Sequence, residues 1–252
     1  MTHALKMKRT ILFSHGNKGG VAKSNTSMVE TEYVLSTGQP VTLVEADMTQ
    51  PDIATRYANV PDVTIGVLPL NRAGDAENAL GAFGEYLEVN MPEVVVVNLP
   101  AGAGETLDAL ASSIRDLADG LEYRLVATYG LEKNRTASDG LRASLASGLL
   151  SVIHPQDRFL IYPGYKGTPE SFDWFHTEDR KHTAIGEIVM PAIGSRSALQ
   201  KLEATPGRVA DLVDKNRRPE GWMILDQSSI YRWHNAAQAA IAPVFKNGGE
   251  GQ

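Results

Sequence analysis

The stretch that decides the fold is HGNKGGVAKSNTS, residues 15–27. It follows a short apolar run and precedes a helical pattern, which is the place of a phosphate-binding loop between a strand and a helix. Gly19 and Gly20 let the backbone approach an anion closely, and the following helix adds partial positive charge at its N-terminus. We expect Lys23 to reach terminal phosphates and Ser24 to offer its hydroxyl to Mg²⁺. The alternative is a plain glycine turn with a lysine by chance, which the strand–loop–helix context disfavours.

Apolar, β-rich runs alternate with helical segments along the rest of the chain. The run of four valines at 94–97 shows no alternation, so both faces of this strand should be buried, as in the middle of a parallel sheet. The alternation predicts an α/β fold with a mostly parallel central sheet and helices on both faces. Strands are predicted at 10–14, 41–45, 63–67, 94–98, 124–128, 158–162 and 187–190, and helices at 24–37, 75–89, 105–117, 136–149 and 200–215.

Composition excludes several classes of protein. The chain has 252 residues, of which 42% are hydrophobic and 21% charged, so it is not predominantly disordered. It has no cysteine, which excludes disulfides, thiolate metal sites and cysteine nucleophiles and is typical of a cytoplasmic protein. Six histidines include no H-E-x-x-H, and no G-x-S-x-G elbow appears. The net charge of −6 argues against a general nucleic-acid coat.

The segment KGGVAKS, residues 18–24, resembles the deviant Walker A motif KGGVGK[ST] of the ParA/MinD family of ATPases. This resemblance implies a single-domain P-loop NTPase, here residues 1–246 followed by a flexible tail at 247–252, that binds ATP and Mg²⁺. It also implies a homodimer formed on ATP binding, in which Lys18 reaches the partner's nucleotide. Ala22 replaces a family glycine and Asn25 a usual threonine, so the loop is expected to bind phosphate more weakly or to be reshaped. The nucleotide-binding residues implied are Lys18, Gly19, Gly20, Val21, Ala22, Lys23, Ser24, Asn25 and Asn98.

Two further segments follow in the family's order. VTLVEAD, residues 41–47, resembles the second strand, in which Asp47 matches the carboxylate that positions the attacking water and Glu45 replaces an earlier aspartate. Asp47 can alternatively be a helix cap or turn residue. VVVVNLPAG, residues 94–102, resembles the Walker B strand and switch II, with Asn98 where a carboxylate is usual. We therefore expect slow hydrolysis, unless Glu45 or Asp47 supplies the missing charge.

These resemblances assign roles to a small set of residues. The catalytic residues implied are Lys18, Lys23 and Asp47, and the metal-binding residues are Ser24, Asp47 and Asn98. The function implied is a Mg-ATP-dependent dimerising ATPase switch in plasmid conjugative transfer or partition, since the layout is similar to the TraL- and StbB-type ATPases of conjugative plasmids. One alternative is a nucleotide-binding scaffold with little or no hydrolysis that recruits protein partners. Another is a P-loop small-molecule kinase or ligase.

The C-terminal half gives weaker indications. Five basic residues, Lys201, Arg208, Lys215, Arg217 and Arg218, form either a nonspecific DNA contact or a solvated helix face. The final helix, predicted at 228–245, has few cations, so we expect it to pack against the body and not to insert stably in a membrane. Residues 162–183 are rich in turns and form either a lid-like loop or a segment with a short helix. The expected protein partners belong to a partition or conjugation system.

Overall fold

The computed structural model of the chain describes residues 8–16, 19–46, 51–68, 76–100 and 102–246. Seven strands in these ranges form one sheet in which every pairing is parallel. The strands are β1 (Thr10–His15), β2 (Val41–Glu45), β3 (Val63–Val67), β4 (Val94–Asn98), β5 (Arg124–Gly130), β6 (Arg158–Pro163) and β7 (Gly186–Met190). Their order across the sheet is β3-β2-β4-β1-β5-β6-β7.

Helices connect the strands and cover both faces of the sheet. The α-helices are α1 (Lys23–Ser36), α2 (Asp52–Tyr57), α3 (Ala76–Asn90), α4 (Ala103–Ala109), α5 (Ala111–Gly120), α6 (Arg135–Ser147), α7 (Glu178–His182), α8 (Arg196–Ala204), α9 (Val209–Leu212) and α10 (Ile224–Lys246). Short 3-10 turns lie at Leu149–Val152, Pro155–Asp157, Gly164–Lys166, Pro169–Ser171 and Asp173–His176. The predicted α/β class, with a parallel sheet and helices on both faces, is confirmed.

Alternating side chains of the central strands enter two separate cores. Val95 and Val97 pack into the core under α3 to α6, whereas Val94 and Val96 pack into the core under α1, α2, α8 and α10. All four valines are at most 1% exposed. A strand buried on both faces cannot show an apolar–polar alternation, which is why the valine run predicted a central position correctly.

Two predicted helices are wrong in their extent. The helix predicted at 105–117 is two helices, α4 and α5, because the backbone leaves helical geometry at Leu110 (φ −94°, ψ 5°). The helix predicted at 200–215 ends at Ala204, since Thr205 is extended before Pro206 and Gly207 has a positive φ of 99°. A residue that precedes proline avoids the helical region, so Pro206 ends the helix. The helix α2 is an element that the sequence analysis did not predict.

The C-terminal segments are packed against the body. Within 162–183 the short-helix alternative holds, because α7 forms there and Phe172 and Trp174 are fully buried. The long helix α10 buries Ile241 and Val244, and Phe245 stacks on Tyr33 of α1 at 4.5 Å between ring centroids. Across the described ranges, no helix is at once long and apolar enough to cross a membrane. The expected tail at 247–252 lies outside the described residues.

Candidate functional site

The glycine-rich loop begins where the central strand β1 ends. Since β1 lies between β4 and β5, the loop opens at the carboxyl edge of the sheet, where open α/β sheets bind ligands. The loop borders a cleft of about 880 Å³, which we call the phosphate-loop cleft. The cleft is lined at this end by Gly19, Gly20, Val21, Ala22, Lys23, Ser24 and Asn25.

The structure therefore brings most of the predicted nucleotide-binding residues to one cavity. Lys23 opens α1 and is 8% exposed, and Ser24 and Asn25 follow it in the first turn. The first amides of a helix have no intrahelical partner, and the residue at the cap, Ala22, makes no side-chain hydrogen bond to them. These amides and the lysine give this end of the cleft the chemistry of an anion site. Lys18 and Asp47 lie outside the described residues.

Ala22 occupies a conformation that favours glycine. Its φ and ψ are 66° and 21°, in the left-handed region, where a Cβ costs about 1–2 kcal/mol. Gly20, two residues earlier, has a φ of 68° without that cost. An alanine at this position thus stores strain in the turn that leads into α1.

A second glycine pair lets the loop lie close to β5. A Cβ on Gly130 would lie 2.3 Å from the carbonyl oxygen of Val21, and one on Gly16 would lie 2.8 Å from the carbonyl oxygen of Gly130. The sequence analysis missed Gly130, although a glycine at the end of a strand is a known signal of close backbone approach. These contacts fix the height of the loop above the sheet.

Asn98 is held by two buried polar neighbours. Its Nδ2 donates to Glu45 Oε1 at 2.9 Å, and the Ser27 hydroxyl donates to its Oδ1 at 3.1 Å. Glu45 and Asn98 are also partners in the β2–β4 register, and Glu45 Oε2 accepts a hydrogen bond from the Ala54 amide at 3.3 Å. All three side chains are at most 1% exposed. A carboxylate group therefore does lie at the end of the Walker B-like strand, and Glu45 of the neighbouring strand supplies it.

The oxygen donors near this point suit a small hard cation. Carboxylate and amide oxygens are ligands that Mg²⁺ takes in proteins, and the Glu45 and Asn98 side chains carry them. Both side chains are buried, and neither is among the described residues that line the cleft, whereas Ser24 is. Within the described ranges no three His, Cys, Asp or Glu side chains gather in a way that could hold a metal by themselves. A cation here would need oxygens from a ligand or water, as Mg²⁺ does in nucleotide sites. The hydroxyl found on Asn98 is that of Ser27, a residue that the sequence analysis did not assign.

His15 lies beneath the loop and is not placed to bind a ligand. It is 1% exposed, and its Nε2 lies 3.4 Å from Ser144 Oγ and 3.7 Å from Asp108 Oδ1. Burial lowers its pKa to about 4, against an opposing effect of Asp108, and the nearby Lys23 lowers it further. The imidazole is thus neutral at physiological pH. It joins the end of β1 to α4 and α6, since Ser144 also donates to Asp108 at 2.8 Å.

A buried carboxyl group lies on the sheet side of α1. Glu30 is fully buried and accepts hydrogen bonds from Ser14 at 2.6 Å and from Thr128 at 2.7 Å. Burial raises its pKa to about 7, although both hydroxyls oppose this change. The carboxyl group ties α1 to β1 and β5. No sequence pattern predicts this contact.

The far wall of the cleft comes from segments distant in sequence. It includes Ile53 and Arg56 of α2, residues 191–193 after β7, and Trp233 of α10. Arg56 is 8% exposed and donates to the carbonyl oxygens of Leu202 and Gly207, so α2 is tied to the α8–α9 connection. The Tyr165 hydroxyl donates to the carbonyl oxygen of Gly20 and so joins the 162–183 segment to the loop.

The five C-terminal basic residues do not form one surface of equivalent cations. Lys201 pairs with Asp226 at 2.5 Å, and Arg208 is half-buried. Lys215 lies over the Tyr231 ring at 4.8 Å. Arg217 and Arg218 are exposed, so the DNA contact stays a prediction for this part of the segment.

Comparisons with known proteins find distant similarities. No protein-family model matches the chain. Protein MobD of Acidithiobacillus ferrooxidans is 21% identical over 244 residues, which are 95% of this chain and 99% of that protein. Function is therefore inferred from the residues of the loop and the cleft and not from this likeness.

Several solved structures are distantly similar to this chain. A nucleotide-binding protein from Archaeoglobus fulgidus, in complex with ADP, is 12% identical with a TM-score of 0.45, covering 77% of this chain and 85% of that one. FtsY from Thermotoga maritima is 12% identical with a TM-score of 0.48, covering 76% and 66%. FtsY, the signal recognition particle receptor of Elizabethkingia anophelis, is 10% identical with a TM-score of 0.48, covering 90% and 66%. The structure itself shows an α/β fold in which the strand–loop–helix unit from β1 to α1 opens at the carboxyl edge of an all-parallel seven-stranded sheet.

Proposed function

We propose that this protein is a Mg-ATP-dependent dimerising switch that acts in plasmid conjugative transfer or partition. The observation that carries the proposal is the glycine-rich loop between β1 and α1, which opens with Lys23 onto a cleft of about 880 Å³. A cavity of that size accommodates a nucleotide-sized ligand. Its loop end combines backbone amides, a helix N-terminus and a lysine, which together recognise a polyphosphate.

Each described residue has a defined task in this proposal. The amides of the first turn of α1 hold phosphate oxygens, and Lys23 balances their charge. Ser24, Asp47 and Asn98 are the proposed Mg²⁺ ligands; Ser24 lines the cleft, whereas Asn98 is buried and hydrogen-bonded to Glu45 and Ser27. A bound Mg²⁺ neutralises part of the phosphate charge. Asp47 is the proposed residue for positioning the attacking water, and Lys18 the proposed contact to the partner's nucleotide.

A second candidate function is a nucleotide-binding scaffold with little or no hydrolysis. The specific observation in its favour is that Asn98 brings no charge and is already committed to Glu45 and Ser27. Ala22 is also strained, because it holds a left-handed conformation that favours glycine. Steady-state phosphate release at saturating ATP separates the candidates, since the scaffold predicts no release above the rate of Lys23→Ala.

Dimerisation is tested by size exclusion with light scattering in ATP, ADP and a non-hydrolysable ATP analogue. We expect a dimer with ATP and with the analogue, and a monomer with ADP. Lys18→Ala should still bind ATP but stay monomeric, because in the resembled family this lysine contacts the other subunit's nucleotide. A parent that never dimerises with nucleotide, or a Lys18→Ala variant that still does, would contradict the switch.

The conjugation or partition role is supported by the resemblance of the KGGVAKS segment to ParA/MinD ATPases and by the layout of the C-terminal half, which is similar to that of the TraL- and StbB-type ATPases of conjugative plasmids. It predicts that the ATP-loaded form recruits a protein encoded on the same mobile element. Affinity capture with the protein in the non-hydrolysable analogue and in ADP, from cells that carry the element, tests this role. Equal recovery of all proteins in both nucleotides would contradict it.

A further inference from the structure

A second cavity of about 890 Å³ lies between α3 and α5, on the other face of the sheet from α1. We call it the acidic groove. The helices α3 and α5 pack on one face of the sheet, and α1 and α10 pack on the other. The sheet therefore lies between the acidic groove and the phosphate-loop cleft. None of the described residues of the proposed nucleotide site lines it.

One face of each helix lines the groove along its length. On α3 the lining residues recur with helical spacing, at Glu77, Leu80, Gly81, Gly84, Glu85 and Glu88. The other wall starts at the α4–α5 junction and follows α5, at Leu110, Ser113, Asp116, Leu117, Gly120 and Leu121. Spacings of three and four residues place each set on one helical face. The stretch from Glu77 to Glu88 rises about 17 Å, which is about three turns.

The floor of the groove is formed by leucine side chains and by glycines, which have no side chain. Leu80, Leu117 and Leu121 are only half-buried, although each is a large apolar side chain. A Cβ on Gly84 would lie 3.2 Å from Leu117 Cδ1, so the helices are close there. A Cβ on Gly81 would meet nothing within 4 Å, so the groove is open above that residue. A helix that brought its own leucines would therefore fill this space.

The rim carries charge of one sign. Glu77, Glu85, Glu88 and Asp116 line the groove and are exposed, and among the lining residues that the structure describes there is no lysine or arginine. Arg9 and Arg115, which belong to the neighbouring surface, are paired with Glu122 at 3.8 Å and with Asp119. Four carboxylates around an apolar floor repel an acidic partner and attract a basic one.

We propose that the acidic groove is the docking site for a basic amphipathic helix of a protein partner. The helix is about three turns long, with leucine-like residues on one face and lysines or arginines flanking them. The apolar stripe packs on Leu80, Leu117 and Leu121, and the flanking cations face the carboxylates of the rim. This inference does not depend on nucleotide binding, because it uses residues of the opposite face alone.

The test uses a fluorescein-labelled synthetic peptide of about 15 residues, with leucines at helical spacing and lysines on both flanks. Fluorescence anisotropy measures its affinity for the full chain and for two kinds of variant. Gly81→Trp fills the open part of the groove without changing charge, and Glu85→Lys with Glu88→Lys reverses the rim. The matched control, Glu178→Lys with Glu220→Lys, reverses two exposed carboxylates elsewhere on the surface.

We expect both groove variants to weaken binding by at least about tenfold and the control to change it less than about twofold. A peptide with glutamate in place of lysine should not bind. Equal peptide affinity in the parent and Gly81→Trp would overturn the proposal. A loss of affinity in the control as large as in the groove variants would also overturn it, because the peptide would then be bound by the overall negative charge and not by the groove. A parent dimer that Gly81→Trp dissociates makes the occupant a second copy and overturns it as well. If the peptide binds only after residues 1–7 are removed, the occupant of the groove is that segment of the same chain, and the proposal is overturned.

Discussion

The phosphate-loop cleft and the acidic groove have nearly the same volume, about 880 Å³ and about 890 Å³, and opposite chemistry. At the loop, the cleft presents Lys23 and the amides that begin α1, whereas the groove presents Glu77, Glu85, Glu88 and Asp116 around leucines. Volume alone therefore does not identify a ligand. The polar groups that surround each cavity do, because one set suits a polyphosphate and the other a basic helix.

The two sides of the sheet also differ in the burial of their carboxyl groups, because Glu30 is fully buried and the carboxylates of the acidic groove are exposed. A substitution of Glu30 is expected to change the free energy of unfolding more than the other substitutions below. Its pKa is raised to about 7 by burial, from a model-peptide value of 4.5. The folded state then binds the proton more tightly than the unfolded state, so the free energy of unfolding falls as pH rises from about 4.5 to about 7. Glu30→Gln removes this loss and should stabilise the protein at pH 8 by up to about 3 kcal/mol.

Urea unfolding of Glu30→Gln and the parent at pH 5 and pH 8 measures this effect. Glu85→Gln, at an exposed carboxylate of the acidic groove, is the matched control and should keep the parent's pH dependence. Identical pH dependence in the parent and Glu30→Gln would show that Glu30 does not titrate as the buried position implies.

Substitutions in the Glu45–Asn98 pair are expected to have the next largest effect on stability. Asn98→Asp places a second carboxylate against Glu45, at a site where the present hydrogen bond is 2.9 Å long, and should destabilise the folded state by about 2 kcal/mol. The exchange of the two groups, Glu45→Gln with Asn98→Asp, restores one amide and one carboxylate and should recover most of that loss. It also puts the charge at the Walker B position, where it should raise ATP turnover.

Thermal unfolding and phosphate release across a Mg²⁺ titration test the pair in the parent and in both variants. If Asn98→Asp alone were fully stable, the close contact with the Glu45 carboxylate would be wrong. If the exchange variant were destabilised as much as Asn98→Asp alone, the two residues would not act as a pair.

Ala22 gives the smallest expected effect. Ala22→Gly removes a Cβ from a left-handed residue and should stabilise the fold by about 1 kcal/mol, less the extra backbone entropy of glycine in the unfolded chain. ATP affinity should rise as well, because a strained methyl group is removed from the loop that would hold the phosphates. Gly81→Ala, in helical backbone of the acidic groove, is the control and should leave ATP affinity unchanged. Weaker ATP binding by Ala22→Gly would mean that the alanine helps to order the loop.

Much of the fold could be predicted because its signals are local. Seven strands were found within about two residues, since β-branched runs between turn residues mark strands wherever they occur. The helix ends at Leu110 and Ala204 were missed, because helical spacing of apolar residues continues across both breaks. Pro206 was the available signal for the second break, and it was not used.

The candidate site was predicted in part. The loop residues were found because they are consecutive in sequence and their spacing carries the chemistry. Other parts of the site depend on which side chains the sheet register and the helix packing bring together. These parts are Ser27, the contact between Glu45 and Asn98, Glu30, and the far wall at Trp233. Spacing along the chain does not contain that information, so only the structure shows these contacts.

The central claim is that the glycine-rich loop is a polyphosphate site. Isothermal titration with ATP and Mg²⁺ tests it on three proteins, which are the parent, Lys23→Ala and the groove variant Gly81→Trp. We predict binding by the parent, unchanged affinity in Gly81→Trp, and a loss of at least about 100-fold in Lys23→Ala, or about 2.7 kcal/mol. ATP binding by Lys23→Ala as tight as that of the parent, or no binding by the parent, would contradict the claim.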